Sequence, residues 1–175
     1  MLDWYGIVFE LIDFRSFSNL WFWIMLAVFW STASHFVLGV PYDMVTRVAR
    51  GGDAVEQAQK DLDDLTRIQS NRLIYIGQVA GIWLVGFGFF FLTGLFSMGF
   101  VYGMEICQAL FLIFAPMSLV FLLSWRRAHM VSGLQGDEIC TNLRRHRISV
   151  QVIGMFSIFV TSMWGMHFNM TAGVL

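Results

Sequence analysis

The chain has 175 residues, of which 57% are hydrophobic, 17% aromatic and only 13% charged, with a mean hydropathy of +0.65. So little charge cannot cover the surface of a water-soluble domain of this length, which excludes an ordinary soluble enzyme or binding module. A formal net charge of −1 supplies no attraction for nucleic acid, and no aromatic platform is interleaved with the cations as single strands require.

The cations fall in two places. Arg47, Arg50, Lys60, Arg67 and Arg72 lie within 41–72; Arg126, Arg127, Arg144, Arg145 and Arg147 lie within 125–149; only Arg15 lies elsewhere. Cationic flanks resist translocation, so both segments are expected in the cytoplasm and both termini across the membrane.

Taken in chain order, residues 1–14 place Asp3, Gly6, Glu10 and Asp13 on one helical face and Trp4, Ile7, Val8 and Leu11 on the other. This predicts an amphipathic helix lying in the outer interface. The first span is expected at about 19–40, closed by Gly39 and Pro41. A short helix follows from Pro41 to Arg50 and is broken at Gly51-Gly52. Asp53 is the expected N-cap of a helix that continues without a breaker into the second span, about 73–96. A tight turn, Ser97–Gly103, leads to the third span, about 104–124. Pro116 should kink that span and free the carbonyl of Leu112. After Gly133 and Gly136 the helix resumes at Asp137, and the fourth span is about 150–168. Aromatics mark the rims: Trp21, Trp23, Tyr102 and Trp164 on one side, Tyr42, Tyr75 and Trp125 on the other. The expected fold is all-α and forms a single membrane domain: a bundle of four transmembrane helices with an interfacial N-terminal helix and a helical cytoplasmic extension.

Small residues recur at helical spacing. Gly77, Gly81 and Gly88 form one stripe and Gly154, Ser157, Thr161 and Gly165 another. Such stripes let helix backbones approach closely in lipid, within one bundle or between copies. Gly99 and Gly103 share the spacing but fall in a turn, where it carries no packing meaning.

Glu105 is the one acidic residue within a span, and an ionisable group there is a functional candidate by default. Gln108 lies one turn deeper on the same face, and His167 and Asn169 of the fourth span reach the same depth. A Glu105–His167 pair would make a proton or cation site; the competing reading is an interfacial carboxylate satisfied by water. His35 and His167 could each ligate a haem or chlorophyll, but they sit at opposite ends of their spans, so a bis-histidine site is disfavoured and no cofactor is predicted. Cys140, His129 and His146 share one loop at spacings that match no closed zinc motif, and no metal is predicted. Acidic residues of 53–64 are expected to pair with Arg144, Arg145 and Arg147, or those arginines, with Arg126 and Arg127, to meet anionic lipid or a partner. Nucleophile elbows, zinc-protease helices, phosphate loops and dinucleotide fingerprints are all missing from the sequence, which nominates no enzyme activity.

The opening Asp3-Trp4-Tyr5-Gly6, the run Phe9-Glu10-Leu11-Ile12-Asp13, then Arg15-Ser16-Phe17-Ser18-Asn19-Leu20-Trp21, and His35-Phe36-Val37-Leu38-Gly39-Val40-Pro41-Tyr42-Asp43-Met44 resemble a bacterial family of small membrane proteins labelled component of the SufBCD complex. The resemblance covers roughly the first fifty residues. It implies a bacterial inner-membrane protein and a partnership with iron–sulfur cluster assembly, with no catalytic residues to carry over. The expected role is a non-catalytic accessory, assembly or anchoring subunit, embedded in the lipid bilayer and holding other membrane-complex subunits or further copies of itself. The alternatives are a small proton-coupled channel or transporter and a cofactor-binding membrane protein.

Overall fold

The computed structural model describes residues 16–52 and 55–172. The expected interfacial helix, the Asp53 cap and the extreme C-terminus lie outside them. The described chain is all-α apart from two strands of two residues each. Three helices are long and apolar enough to cross a membrane, within Val55–Val101, Glu105–Val131 and Asp137–Thr171, and a shorter apolar helix spans Leu20–His35.

Helix α1, Leu20–His35, starts where the Asn19 side chain accepts from the Trp21 backbone N–H at 3.0 Å, the usual work of an N-cap amide. It ends at His35, five residues short of the expected Val40. The reason is a miniature hairpin, Phe36–Val37 against Val40–Pro41. Both of its central residues have positive φ, Leu38 at 54° and Gly39 at 78°, which is the geometry that continues strand twist through a two-residue turn. A leucine resists that conformation. Here Leu38 is 9% exposed and joins the neighbouring core, so burial offsets the backbone cost.

Pro41 then caps α2, Tyr42–Arg50, whose valines Val45 and Val48 are buried. Helix α3 runs unbroken from Val55 to Phe96. At about 1.5 Å per residue its 42 residues make a rod about 60 Å long. A five-residue π turn, Ser97–Val101, and Gly103 at φ 73° reverse the chain. Helix α4 covers Glu105–Val131 with Pro116 inside it, and α5 covers Asp137–Ala172 without interruption.

In space, α3 packs on α4, α4 on α5, and α5 on α1, while α2 lies against α3 and α5. Two cores result. One lies at the end that carries the arginine segments, called the basic end below. Val37, Val40, Val45, Leu62, Val131, Ile139 and Leu143 meet there, so the hairpin, α2 and pieces of three long helices share one aliphatic cluster. The other lies within the bundle and is built from Phe17, Phe22, Leu26, Trp30, Ala109, Ile113, Val120 and Val150. The expected ionic brace is not what holds the basic end together. The ion pair among the described residues, Arg67–Asp64, is exposed and sits within one helix. Asp63 instead accepts from the Gly136 N–H at 3.2 Å, and Arg147 lies 3.7 Å above the Tyr42 ring. Apolar burial outweighs exposed ion pairs, each worth under about 1 kcal/mol.

Candidate functional site

Polar side chains gather at the end of the bundle opposite the arginines. Gln108, 5% exposed, donates from Nε2 to the Gly99 carbonyl at 2.8 Å and accepts at Oε1 from Trp164 Nε1 at 2.9 Å. One amide therefore ties α4 to the π turn and to α5. Gly99 is required for this: a Cβ there would lie 2.8 Å from the Gln108 backbone nitrogen. The Gly99/Gly103 spacing itself carries no packing meaning, since Gly103 faces open space; Gly99 alone brings the turn close to the first residues of α4.

Glu105 accepts from the Phe17 N–H at 2.6 Å, which fixes the chain just before α1. Asn169 reaches the same segment, accepting from Ser18 Oγ at 2.8 Å and donating to the Phe17 carbonyl at 3.5 Å. Trp23 Nε1 donates to that carbonyl as well, at 3.1 Å. His167 is exposed, its ring tilted against Trp164 with centroids 5.8 Å apart. The four candidates thus converge on Phe17 and Trp164. Three of them act as hydrogen-bonding ties between α4, α5 and the start of α1.

Deeper in the bundle, Ser157 donates to the Leu112 carbonyl at 3.4 Å, the carbonyl that Pro116 releases four residues later. Thr161, fully buried, bonds back to the Ser157 carbonyl at 2.8 Å. These small residues also set helix spacing. A Cβ at Gly154 would stand 2.8 Å from the Trp30 ring, and one at Gly165 would stand 3.1 Å from Phe17 and 3.2 Å from Trp23. On α3, a Cβ at Gly77 would collide with the Trp125 indole, whereas Gly81 is in ordinary contact and Gly88 faces open space. The α5 stripe and Gly77 thus pack within this chain.

At the basic end, His146 is 1% exposed and its Nε2 lies 3.1 Å from Ser124 Oγ. Burial pushes this imidazole down to about 4, and the charge on Arg127 adds to the effect, so it is neutral at physiological pH. The same sequence had suggested only a loop histidine; the apolar flank Leu143, Val150 at helical spacing was the signal that its face is buried. Burial also raises the Cys140 thiol, helped by Asp137 and Asp63, which leaves no reactive thiolate. Cys107 is buried at the opposite end. No group of three or more metal-ligating side chains occurs among the described residues. His35 is exposed, its ring edge-on to Phe36. Arg126, Arg144 and Arg145 are exposed, and Arg127 donates to Asn142 at 3.3 Å.

Comparison of the chain with protein-family models, with curated proteins and with solved structures finds no match in any of the three.

Proposed function

We propose that this protein is a non-catalytic accessory or anchoring subunit of the bacterial inner membrane, crossing it four times with the basic end in the cytoplasm. The observation that carries the reading is where the bundle's polar groups spend their hydrogen bonds. Gln108 uses both ends of its amide on Gly99 and Trp164, Ser157 bonds Leu112 and Thr161 bonds Ser157. Groups committed to one another hold helices together; a transport path needs polar groups free to exchange partners with a passing ion. Helix α1, 16 residues long, spans about 24 Å against an apolar core of about 30 Å. The Asn19 cap, the hairpin and modest bilayer thinning make up that difference.

The basic end supplies what an anchor needs on the cytoplasmic face: a folded unit with its own core, presenting Arg126, Arg144 and Arg145 outward. With Cys107 and Cys140 at opposite ends, a role beside iron–sulfur cluster assembly would be docking rather than holding a cluster, for which four thiolates are the norm. The test is purification from native membranes followed by mass spectrometry. A recurrent partner lost on reversing Arg144 and Arg145 to glutamate is the expected result. A protein that is consistently alone and conducts protons or ions in vesicles would overturn the reading.

A further inference from the structure

A cavity of about 500 Å³ opens between α1 and α3 near the basic end, floored by α4 and α5. Its volume falls within the range of about 300–1,000 Å³ that small-molecule sites occupy. Helix α1 packs on α5 and α3 on α4, whereas α1 and α3 barely meet, so the described bundle is an open arc and the cavity is its gap. On the membrane reading above, on which this inference rests, that gap faces lipid at the cytoplasmic rim.

The lining is graded along the bundle. Deep in the gap it is apolar, with Phe29 of α1, Ile76 of α3 and Met117 of α4. Toward the basic end it includes Gln69 and Arg72 of α3, and no carboxylate lines it at any depth. The hydroxyls of the lining are already used: Thr32 Oγ1 donates to the Val28 carbonyl at 2.8 Å, and Ser124 Oγ to the Val120 carbonyl at 2.8 Å. His146 is sealed off at 1% exposure. That leaves the half-buried Gln69 amide and the exposed Arg72 guanidinium. Three and four positions from Arg72 stand Ile68, Gln69, Tyr75 and Ile76, so its own helix offers no counter-charge. The ion pair among the described residues is Arg67–Asp64. A cation at the mouth of an apolar gap, with no acid in the lining, suits an anionic head on an apolar tail. A helix from a second copy would fill the gap but cover Arg72 without a counter-charge, which is costly.

We propose that the gap holds an acyl chain of an anionic phospholipid of the cytoplasmic leaflet, with its phosphate on Arg72 and the Gln69 amide and the chain along Phe29, Ile76 and Met117. Phosphate and ester carbonyl oxygens accept hydrogen bonds, which matches a mouth lined by a guanidinium and an amide. The cytoplasmic leaflet is rich in anionic phospholipid, and that abundance selects it over a free fatty acid. A zwitterionic lipid fits the same gap and forgoes the net attraction.

The test is native mass spectrometry of the purified full-length chain, with phosphatidylglycerol, phosphatidylcholine of the same chains and a matching fatty acid titrated in turn. Saturable binding of phosphatidylglycerol, about fivefold tighter than phosphatidylcholine, is the expected result. Arg72→Gln should bring the two phospholipids within about twofold of each other, whereas Arg126→Gln, at an exposed arginine outside the cavity, should keep the preference. Thr32→Trp narrows the gap from an exposed position on α1 and should weaken both phospholipids several-fold. Equal affinity for the two phospholipids in the parent chain, an unchanged preference in Arg72→Gln, or an equal loss in Arg126→Gln overturns the proposal. So do tighter binding of the fatty acid, unaltered binding in Thr32→Trp, and a lipid-free dimer, which would put a second copy in the gap. None of these outcomes depends on whether a protein partner co-purifies, so the anchoring reading stands or falls separately.

Discussion

The two halves of α3 are one continuous helix with opposite surroundings. From Val55 to Ser70 it buries Ala58, Leu62, Thr66 and Ser70 at every fourth position, a stripe whose first two members join the aliphatic core. From Tyr75 to Phe91 its large side chains stand out: Ile82 is 88% exposed, Trp83 82% and Phe90 78%. A water-soluble protein could not tolerate that second half, since contiguous exposed apolar surface of this extent marks an interface or a membrane. The first half follows the rule for water more closely, burying Ala58 and Leu62 and exposing Lys60, Asp61 and Arg67, with Ile68 the exposed apolar exception. One helix therefore changes character along its length, and the change falls near Arg72 and Tyr75.

That contrast can be broken at its strongest point. Leu62 is fully buried, and Leu62→Ala should cost about 2–5 kcal/mol of stability, measured by thermal unfolding of the purified protein in detergent. A loss under about 1 kcal/mol would mean the basic end is not a packed core. Gln108→Leu at the far end of the bundle leaves the Gly99 carbonyl and Trp164 Nε1 without their partner, at about 1–3 kcal/mol, and should expose Trp164 to collisional quenching. A variant as stable as the parent would show that the amide bridge is dispensable.

Acid offers a reversible version of the same test. The His146 proton affinity is lowered on folding, so the unfolded chain binds the proton more readily between pH 6.5 and 4. Stability is then fully present above about pH 6.5 and declines as pH falls toward 4. Between pH 7.5 and 5 the loss should be about 2 kcal/mol. His146→Phe should flatten the profile in that window; an unaltered slope would assign the acid sensitivity elsewhere. The smallest effects belong to the outward side of α3. Trp83→Leu and Gly88→Ala, the latter with nothing within 4 Å of the added carbon, should each stay within about 0.5 kcal/mol in detergent. A large loss at Trp83 would place protein rather than lipid or detergent against that face.

The periodic parts of the molecule were legible in the chain. The second and third helices, the turn between them and the continuous rod from the basic segment into the apolar run follow from composition and from the absence of breakers between Asp53 and Phe96. Hydropathy carries the first span past the end of α1, because Phe36, Val37 and Val40 extend an apolar run that it cannot tell from helix. The hairpin depends on Leu38 taking a positive φ, and only the core beneath it makes that acceptable. Depth along the spans is readable in the sequence, and the structure places Glu105, Gln108, His167 and Asn169 at one end of the bundle. Their partners are not readable there, since Phe17 N–H, Gly99 O and Trp164 Nε1 are backbone or rim groups that carry no sequence signal of their own. The released Leu112 carbonyl was foreseeable from Pro116, whereas its Ser157 donor lies 45 residues away and needs the α4–α5 packing to be known. The charge pattern points to an ionic brace; aliphatic packing takes its place because Asp61 and Asp64 bond along their own helix and Asp63 accepts from the Gly136 N–H rather than from an arginine.

The most direct measurement is thiol labelling of intact cells with a membrane-impermeant reagent, in a background where Cys107 and Cys140 are serine. Single cysteines replace Gln135 in the turn of the basic end and Tyr102 in the turn at the other, both exposed positions. The account predicts that Tyr102→Cys is modified from outside and that Gln135→Cys reacts only after the membrane is opened. Modification of Gln135→Cys in intact cells, with Tyr102→Cys protected, would contradict it.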